Sequence, residues 1–226
     1  MKEDNSIKSK QGKYIILEGP NGCGKTSNMK LLFEELYKMG IPFMSTREPS
    51  PYPIGKLIEN HYLKQKEYNN AIMVALFAAD RYEQLTAGDD RGILRNLNEG
   101  MNIIQSRCFM SSMAISYSKF LEYGYKAESM LYYAYDKNLE FINLKNPDAI
   151  IYIDIDTDTI IDRVKKLGNE DALEKSEYLS FAKEGYDKAY EMLANKKFNM
   201  YKVDGNKSSE EVFESIKKIV LPIILG

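Results

Sequence analysis

The chain has 226 residues, with 31 Lys and Arg against 33 Asp and Glu, a net charge of −2. That length suits one well-buried α/β domain, and the near balance of charge argues against a nucleic-acid or membrane-surface partner, which would demand a basic excess. Two cysteines, Cys23 and Cys108, lie in separate motifs and suggest neither a disulfide scaffold nor a metal site, so a reducing cytoplasm is the expected compartment.

Residues 1–12 are polar and charged, read as a flexible lead without the apolar core of a signal peptide. A strand is expected at Tyr14–Leu17, where the run is apolar. Directly after it, Gly19-Pro20-Asn21-Gly22-Cys23-Gly24-Lys25-Thr26 fits G-x-x-x-x-G-K-[ST] at every fixed position. A helix is expected over 26–39, with Met29, Leu32, Phe33, Leu36 and Met39 on one side and Gly40 as the stop. Strand, glycine-rich loop and helix form the context that separates a phosphate site from a chance match. The glycines let backbone N–H groups turn inward around a polyphosphate, and the helix amino end adds partial positive charge. Gly19 to Thr26, with Ser27, is therefore the expected nucleoside triphosphate site. Lys25 would reach the β- and γ-phosphates, and the Thr26 hydroxyl would ligate Mg²⁺.

Further strands are expected at Pro42–Ser45, Asn102–Ile104, Ala149–Ile155 and Met200–Val203. Helices are expected over 69–86, 111–143 with a break near Gly124, 157–167 and 174–195. A last helix is announced by Ser208-Ser209-Glu210-Glu211, a capping-box pattern before Val212 and Ile216. The longest apolar stretches, such as 219–225, are too short to span a bilayer. Alternating strands and helices imply a parallel sheet covered on both faces in a single domain over 1–226. Ligands of such sheets sit beyond the carboxyl ends of the strands, which singles out Glu18, Thr46-Arg47-Glu48, Ser106-Arg107 and Asp154–Asp156.

The loop alone does not name the reaction. No N-K-x-D guanine-reading sequence is present, since Asn195-Lys196-Lys197-Phe198 fails at its last position. Three arginines in separate segments are more telling: Arg47 in Thr46-Arg47-Glu48-Pro49, Arg81 in Leu76-Phe77-Ala78-Ala79-Asp80-Arg81, and Arg107 in Ser106-Arg107. With the phosphate loop, Ser111-Ser112-Met113-Ala114 and Pro147-Asp148 leading into Ile151–Asp156, these segments resemble the thymidylate kinase family from about Lys13 onward.

The resemblance implies a P-loop NTPase fold, a three-layer α/β/α sandwich around about five parallel strands, with a lid at about 163–175. It implies transfer of a phosphoryl group from ATP, with Mg²⁺, to dTMP, and a homodimer. Phe77 would stack on the acceptor's pyrimidine ring and Arg81 would bond its exocyclic oxygen. Arg47 and Arg107 would hold its phosphate, and Ser111 and Ser112 would line its pocket. Lys25, Arg47, Arg107 and Arg163 are the expected catalytic set. Residue by residue, other readings remain: Phe77 as a core residue, Arg81 paired to Asp80 or Glu83 on a solvated face, and Arg163, Lys165 and Lys166 as a basic last helical turn.

Several positions depart from the family pattern. Ser106 stands where an Asp usually helps organise Mg²⁺, leaving Glu18, Glu48 and Asp154 as candidate substitutes. Cys108 replaces an aromatic residue or His, and Asn21 replaces an acidic loop residue. Neither Gly22 in the loop nor Ala172 in the lid supplies the usual transition-state arginine, so Arg163 is the expected replacement. A kinase for a different nucleotide or nucleoside, or a nucleotide-binding homologue with little activity, are the alternatives.

Overall fold

Three strands at the centre of the sheet are buried on both faces, two of them as apolar runs that end on a carboxylate and the third around Ile103 and Ile104. They are β1 (Tyr14–Glu18), β3 (Asn102–Ser106) and β4 (Ala149–Asp154). The flanking strands β2 (Phe43–Arg47) and β5 (Met200–Asp204) are half-exposed, as edge strands are. This computed structural model describes residues 11–65, 68–166 and 176–226. Within them the sheet has the order β2-β3-β1-β4-β5, and every pairing is parallel. In register, Leu17 lies between Ser106 and Ile151, so the strand ends that carry the motifs converge at one edge.

The helices are α1 (Lys25–Lys38), α2 (Pro53–Asn60), α3 (Asn70–Thr86), α4 (Ile93–Asn98), α5 (Phe109–Glu122), α6 (Glu128–Asp136), α7 (Leu139–Leu144), α8 (Thr157–Lys166), α9 (Ser176–Asn195) and α10 (Ser209–Leu225). The period-2 alternation of the strands divides the core into two layers. Tyr14, Ile16, Ile103, Ile150 and Tyr152 face one layer with α3, α5, α6 and α9. Ile15, Leu17, Ile104, Ile151 and Ile153 face the other, with α1, α8 and α10. Each fully buried aliphatic or aromatic side chain contributes about 1.5–3 kcal/mol.

Several sequence expectations change. The helical stretch expected over 111–143 breaks at Gly124 as expected, at φ 71°, and breaks a second time at Lys137–Asn138, which separates α6 from α7. Helices α2 and α4 were not anticipated. The first starts on Pro53, a residue whose fixed φ suits the first turn, and the second is only six residues long. Strands β1, β2 and β3 run on to Glu18, Arg47 and Ser106, carrying those side chains to the sheet's edge. Gln11 and Gly12, expected in the flexible lead, are tied down: Gln11 Nε2 donates to Asn98, and Gly12 N donates to the Leu97 carbonyl at 2.8 Å. Residues 1–10 lie outside the described residues. Ser208 and Glu211 form the expected reciprocal cap on α10. Of the expected lid, Arg163 lies on α8, whereas 167–175, Ala172 among them, lie outside the described residues. No helix among the described residues is long and apolar enough to cross a membrane.

Candidate functional site

The turn after β1 is shaped by its glycines. Gly19 sits at φ 144°, and a Cβ there would lie 2.7 Å from Cys23 Sγ and 2.9 Å from the Ile153 carbonyl oxygen. Gly24 caps α1 in a left-handed conformation, without a side-chain cap and with no acidic residue in the first turn. The first N–H groups of α1 thus remain available to an anion, beside the positive end of the helix dipole. Lys25 is 7% exposed, and its Nζ donates to the carbonyls of Gly19 at 2.6 Å and Pro20 at 2.9 Å. Burial lowers its pKa to about 8, with Arg107 pushing the same way against Cys23 and Glu18. Cys23 is buried in the core under the loop, its Sγ 3.6 Å from Lys25 Nζ.

Two adjoining cavities open here. The larger, of about 990 Å³, is walled by Gly22, Gly24, Lys25, Thr26 and Ser27 of the loop and α1. Ser106 also lines it, as do the cations Lys30, Arg47, Lys56 and Arg107 and the carboxylates Glu48 and Glu59. The smaller, of about 270 Å³, is lined by Phe77, Met73, Val74 and Ile115 with Ser111, Ser112 and Ser116. Asn21, Glu48, Pro49 and Arg107 belong to both walls, so the two chambers share a boundary.

Arg107 is the centre of that boundary. Its backbone is left-handed, at φ 67°, an uncommon conformation for a residue with a side chain, and its N–H donates to the Leu17 carbonyl at 3.0 Å. Nη1 donates to Tyr186 Oη at 2.7 Å and Ser111 Oγ at 3.1 Å, and Nη2 to Asn21 Oδ1 at 2.6 Å. Beneath it, the buried Glu18 carboxylate accepts from Cys108 N at 2.7 Å, Ser111 N at 3.2 Å and Ser111 Oγ at 2.5 Å. A carboxylate on the first N–H groups of α5 both caps that helix and complements its dipole. Burial raises the Glu18 pKa, while Ser111, Arg107 and the Cys108 N–H pull it back.

The remaining candidates are placed unevenly. Arg47 lies on the wall of the larger cavity, exposed and paired with Glu59 at 3.1 Å. Phe77 lies on the wall of the smaller one, with Ser111 and Ser112. Arg81, expected on the acceptor's base, is 1% exposed and lines neither cavity. Its Nε donates to Glu48 at 2.6 Å, Nη2 to Glu48 and to Ser112 Oγ at 3.1 Å, and Nη1 to Asn138. Neither Asp80 nor Glu83 is its partner, because α3 turns this face inward and the carboxylate comes from the end of β2. Burial pushes the Glu48 pKa up to about 7 against the pull of Arg81. Arg163 donates to the Lys207 carbonyl at 2.9 Å, in the connection between β5 and α10, and lines neither cavity.

Thr26 and Ser106 are both on the wall of the larger chamber. The three carboxylates considered in place of an Asp at position 106 are engaged elsewhere: Glu18 with α5, Glu48 with Arg81, and Asp154 with Lys183 at 2.9 Å and Lys202 at 3.2 Å. Among the described residues no cluster of three or more His, Cys, Asp or Glu could hold a metal ion. Hydroxyl oxygens beside a phosphate site fit Mg²⁺ that arrives on a nucleotide and keeps its waters, rather than a dedicated protein cage. Two residues that sequence reasoning passed over emerge here. Tyr186 belongs to the buried face of α9, and nothing local marks it as polar in function. Lys56 sits on the unanticipated α2.

Comparison with known proteins bears on what such a site does. The family model described as thymidylate kinase matches residues 17–216. A probable thymidylate kinase of Methanosphaera stadtmanae is 31% identical over 213 residues, which cover 92% of this chain and 97% of that protein. The thymidylate kinase of Carboxydothermus hydrogenoformans is 28% identical, covering 92% and 96%, and that of Leptospira interrogans 27% identical, covering 95% and 97%.

Proposed function

Because the chain belongs to the thymidylate kinase family, we propose that it transfers the γ-phosphate of ATP to dTMP, giving dTDP and ADP. The observation that carries this reading is the pair of adjoining chambers that share Arg107. One is built around a phosphate loop, and the other has an aromatic ring and hydroxyls suited to a nucleoside.

In this reading ATP lies with its phosphates over the amino end of α1, held by loop N–H groups and Lys25. The acceptor's base enters the smaller chamber against Phe77, and its phosphate meets Arg107 at the boundary and Arg47 opposite. Planar guanidinium forks suit phosphate oxygens. Phosphoryl transfer asks for positioning and charge neutralisation more than for a general base, so the absence of a histidine from both cavity walls among the described residues is consistent with it. Mg²⁺ bound with ATP would neutralise the β- and γ-phosphates, with Thr26 as its protein ligand and Ser106 beside it. Arg81 acts indirectly, by fixing Glu48 and Ser112 under the acceptor. A homodimer working in the cytoplasm completes the proposal, on the strength of the family resemblance and of cysteines left unpaired.

ADP release measured over a panel of nucleosides and monophosphates tests this. The expected result is preference for dTMP, with Lys25→Ala lowering turnover by about a hundredfold or more. Full turnover by Lys25→Ala, or ATP binding without turnover on any acceptor, would overturn the reading.

A further inference from the structure

Tyr186 lies on α9, 79 residues from Arg107, yet its hydroxyl is the nearest acceptor to Arg107 Nη1, at 2.7 Å. It is 1% exposed, and its ring stacks on Tyr152 with centroids 5.8 Å apart and planes 12° from parallel. The hydroxyl is also 2.8 Å from Ser111 Oγ. Proton counting fixes the direction of every bond in this group. Ser111 has one hydroxyl proton, and it goes to Glu18 Oε2 at 2.5 Å, so Ser111 can only accept from Tyr186. Arg107 therefore donates to Tyr186, Tyr186 to Ser111, and Ser111 to Glu18. The chain runs in one direction and ends on a buried carboxylate, so no donor in it can turn round without leaving a neighbour unsatisfied.

This chain settles how Arg107 presents itself. Nη1 is held by α9 and α5, through Tyr186 and Ser111, and Nη2 by Asn21 of the phosphate loop. Nη1 also reaches the Gly19 carbonyl at 3.4 Å, and among the described residues Nε has no acceptor, which leaves its N–H to an incoming anion. We propose that Tyr186 is a positioning residue for Arg107: its hydroxyl, braced by Ser111 and Glu18, sets the guanidinium plane in which Arg107 meets the acceptor phosphate. The proposal rests on the kinase reading above. It also ties the site to α9, the helix that follows the expected lid. Burial raises the Tyr186 pKa, which keeps the phenol a donor across the working range.

The test is a double-mutant cycle between Tyr186→Phe and Arg107→Ala, read both in steady-state kinetics and in dTMP dissociation constants from calorimetry. Tyr186→Phe keeps the ring and its stack. It is expected to lower kcat/KM for dTMP about tenfold, the loss typical of a hydrogen bond to a charged group, with the KM for ATP unchanged. In the Arg107→Ala background the same change is expected to cost less than about twofold, because its target is gone. Tyr152→Leu is the control for packing: it removes the stack but leaves the hydroxyl, and should lower the melting temperature while kcat/KM stays within about twofold. Equal cost of Tyr186→Phe with and without Arg107, wild-type kinetics for Tyr186→Phe, or a Tyr152→Leu loss as large as that of Tyr186→Phe would each overturn the proposal. Wild-type turnover of dTMP tests the kinase reading separately, and it can stand while the tyrosine's role falls. A wild-type protein that neither binds nor phosphorylates dTMP ends both.

Discussion

Lys25 holds its charge where burial works against it. With its pKa lowered to about 8, the free protein begins to lose that charge just above neutrality, whereas a triphosphate laid against Nζ raises the value. ATP affinity attributable to this lysine is therefore nearly full at about pH 7 and weakens as the pH rises through about 8. The slope is about tenfold per pH unit until the bound-state value is reached. Calorimetric titrations from about pH 7 to about pH 9.5 should show this decline, and Lys25→Arg, which cannot lose its proton there, should flatten it. The place of Lys25 on the cavity wall was legible because the whole motif is contiguous. The position of Arg107 between the two cavities was legible because it follows a strand end, where parallel sheets open. Arg81 and Tyr186 were not, since what each touches is decided by partners 33 and 79 residues away. A helical pattern says that a face is buried, not which polar group waits beneath it.

Helices α5 and α9 meet backbone to side chain. Ser118 Oγ lies 2.7 Å from the carbonyl oxygen of Ala114 and 2.8 Å from that of Phe181, its one proton shared between them, and Gly185 lies where a Cβ would collide with the Ala114 carbonyl oxygen. Gly185→Ala should force the two helices apart. Overpacking costs about 1–3 kcal/mol, against about 1 kcal/mol gained in helix propensity. Since Tyr186 is the next residue, kcat/KM for dTMP should fall as well. Urea denaturation with steady-state kinetics would check both, and unchanged kinetics would separate the helix contact from the site. The long elements could be read from periodicity and caps, as α1, α3 and α10 illustrate. The failures were short: α2 and α4 have too few turns to display a period, and the tyrosine-rich run after α5 hides a break at Lys137–Asn138 that carries neither proline nor glycine.

Across the molecule, Arg81 and Glu48 join what the chain order separates. Glu48 follows β2, Arg81 is on α3, Ser112 on α5, Gln105 on β3 and Asn138 ahead of α7, and all five share one buried network. Arg81→Ala strands a carboxylate in the core and should cost about 3–5 kcal/mol. That corresponds to a melting-temperature loss of about 2–4 °C for each kcal/mol in a chain of this size. Arg81→Met combined with Glu48→Leu should recover much of it, since an apolar pair needs no desolvation to be overcome. Chemical denaturation of the single and paired variants decides this, and equal losses in both would show that shape, not charge, holds the junction.

The larger cavity sets five cations, Lys25, Lys30, Arg47, Lys56 and Arg107, against two carboxylates, on a molecule whose total charge is slightly negative. Arg81 already offsets Glu48 from behind. The resulting field reaches outward only about 8 Å at physiological ionic strength. With the wall net positive and the whole chain net negative, the rest of the chain carries a negative excess, a distribution that steers compact anions to the phosphate loop and gives extended ones little to hold.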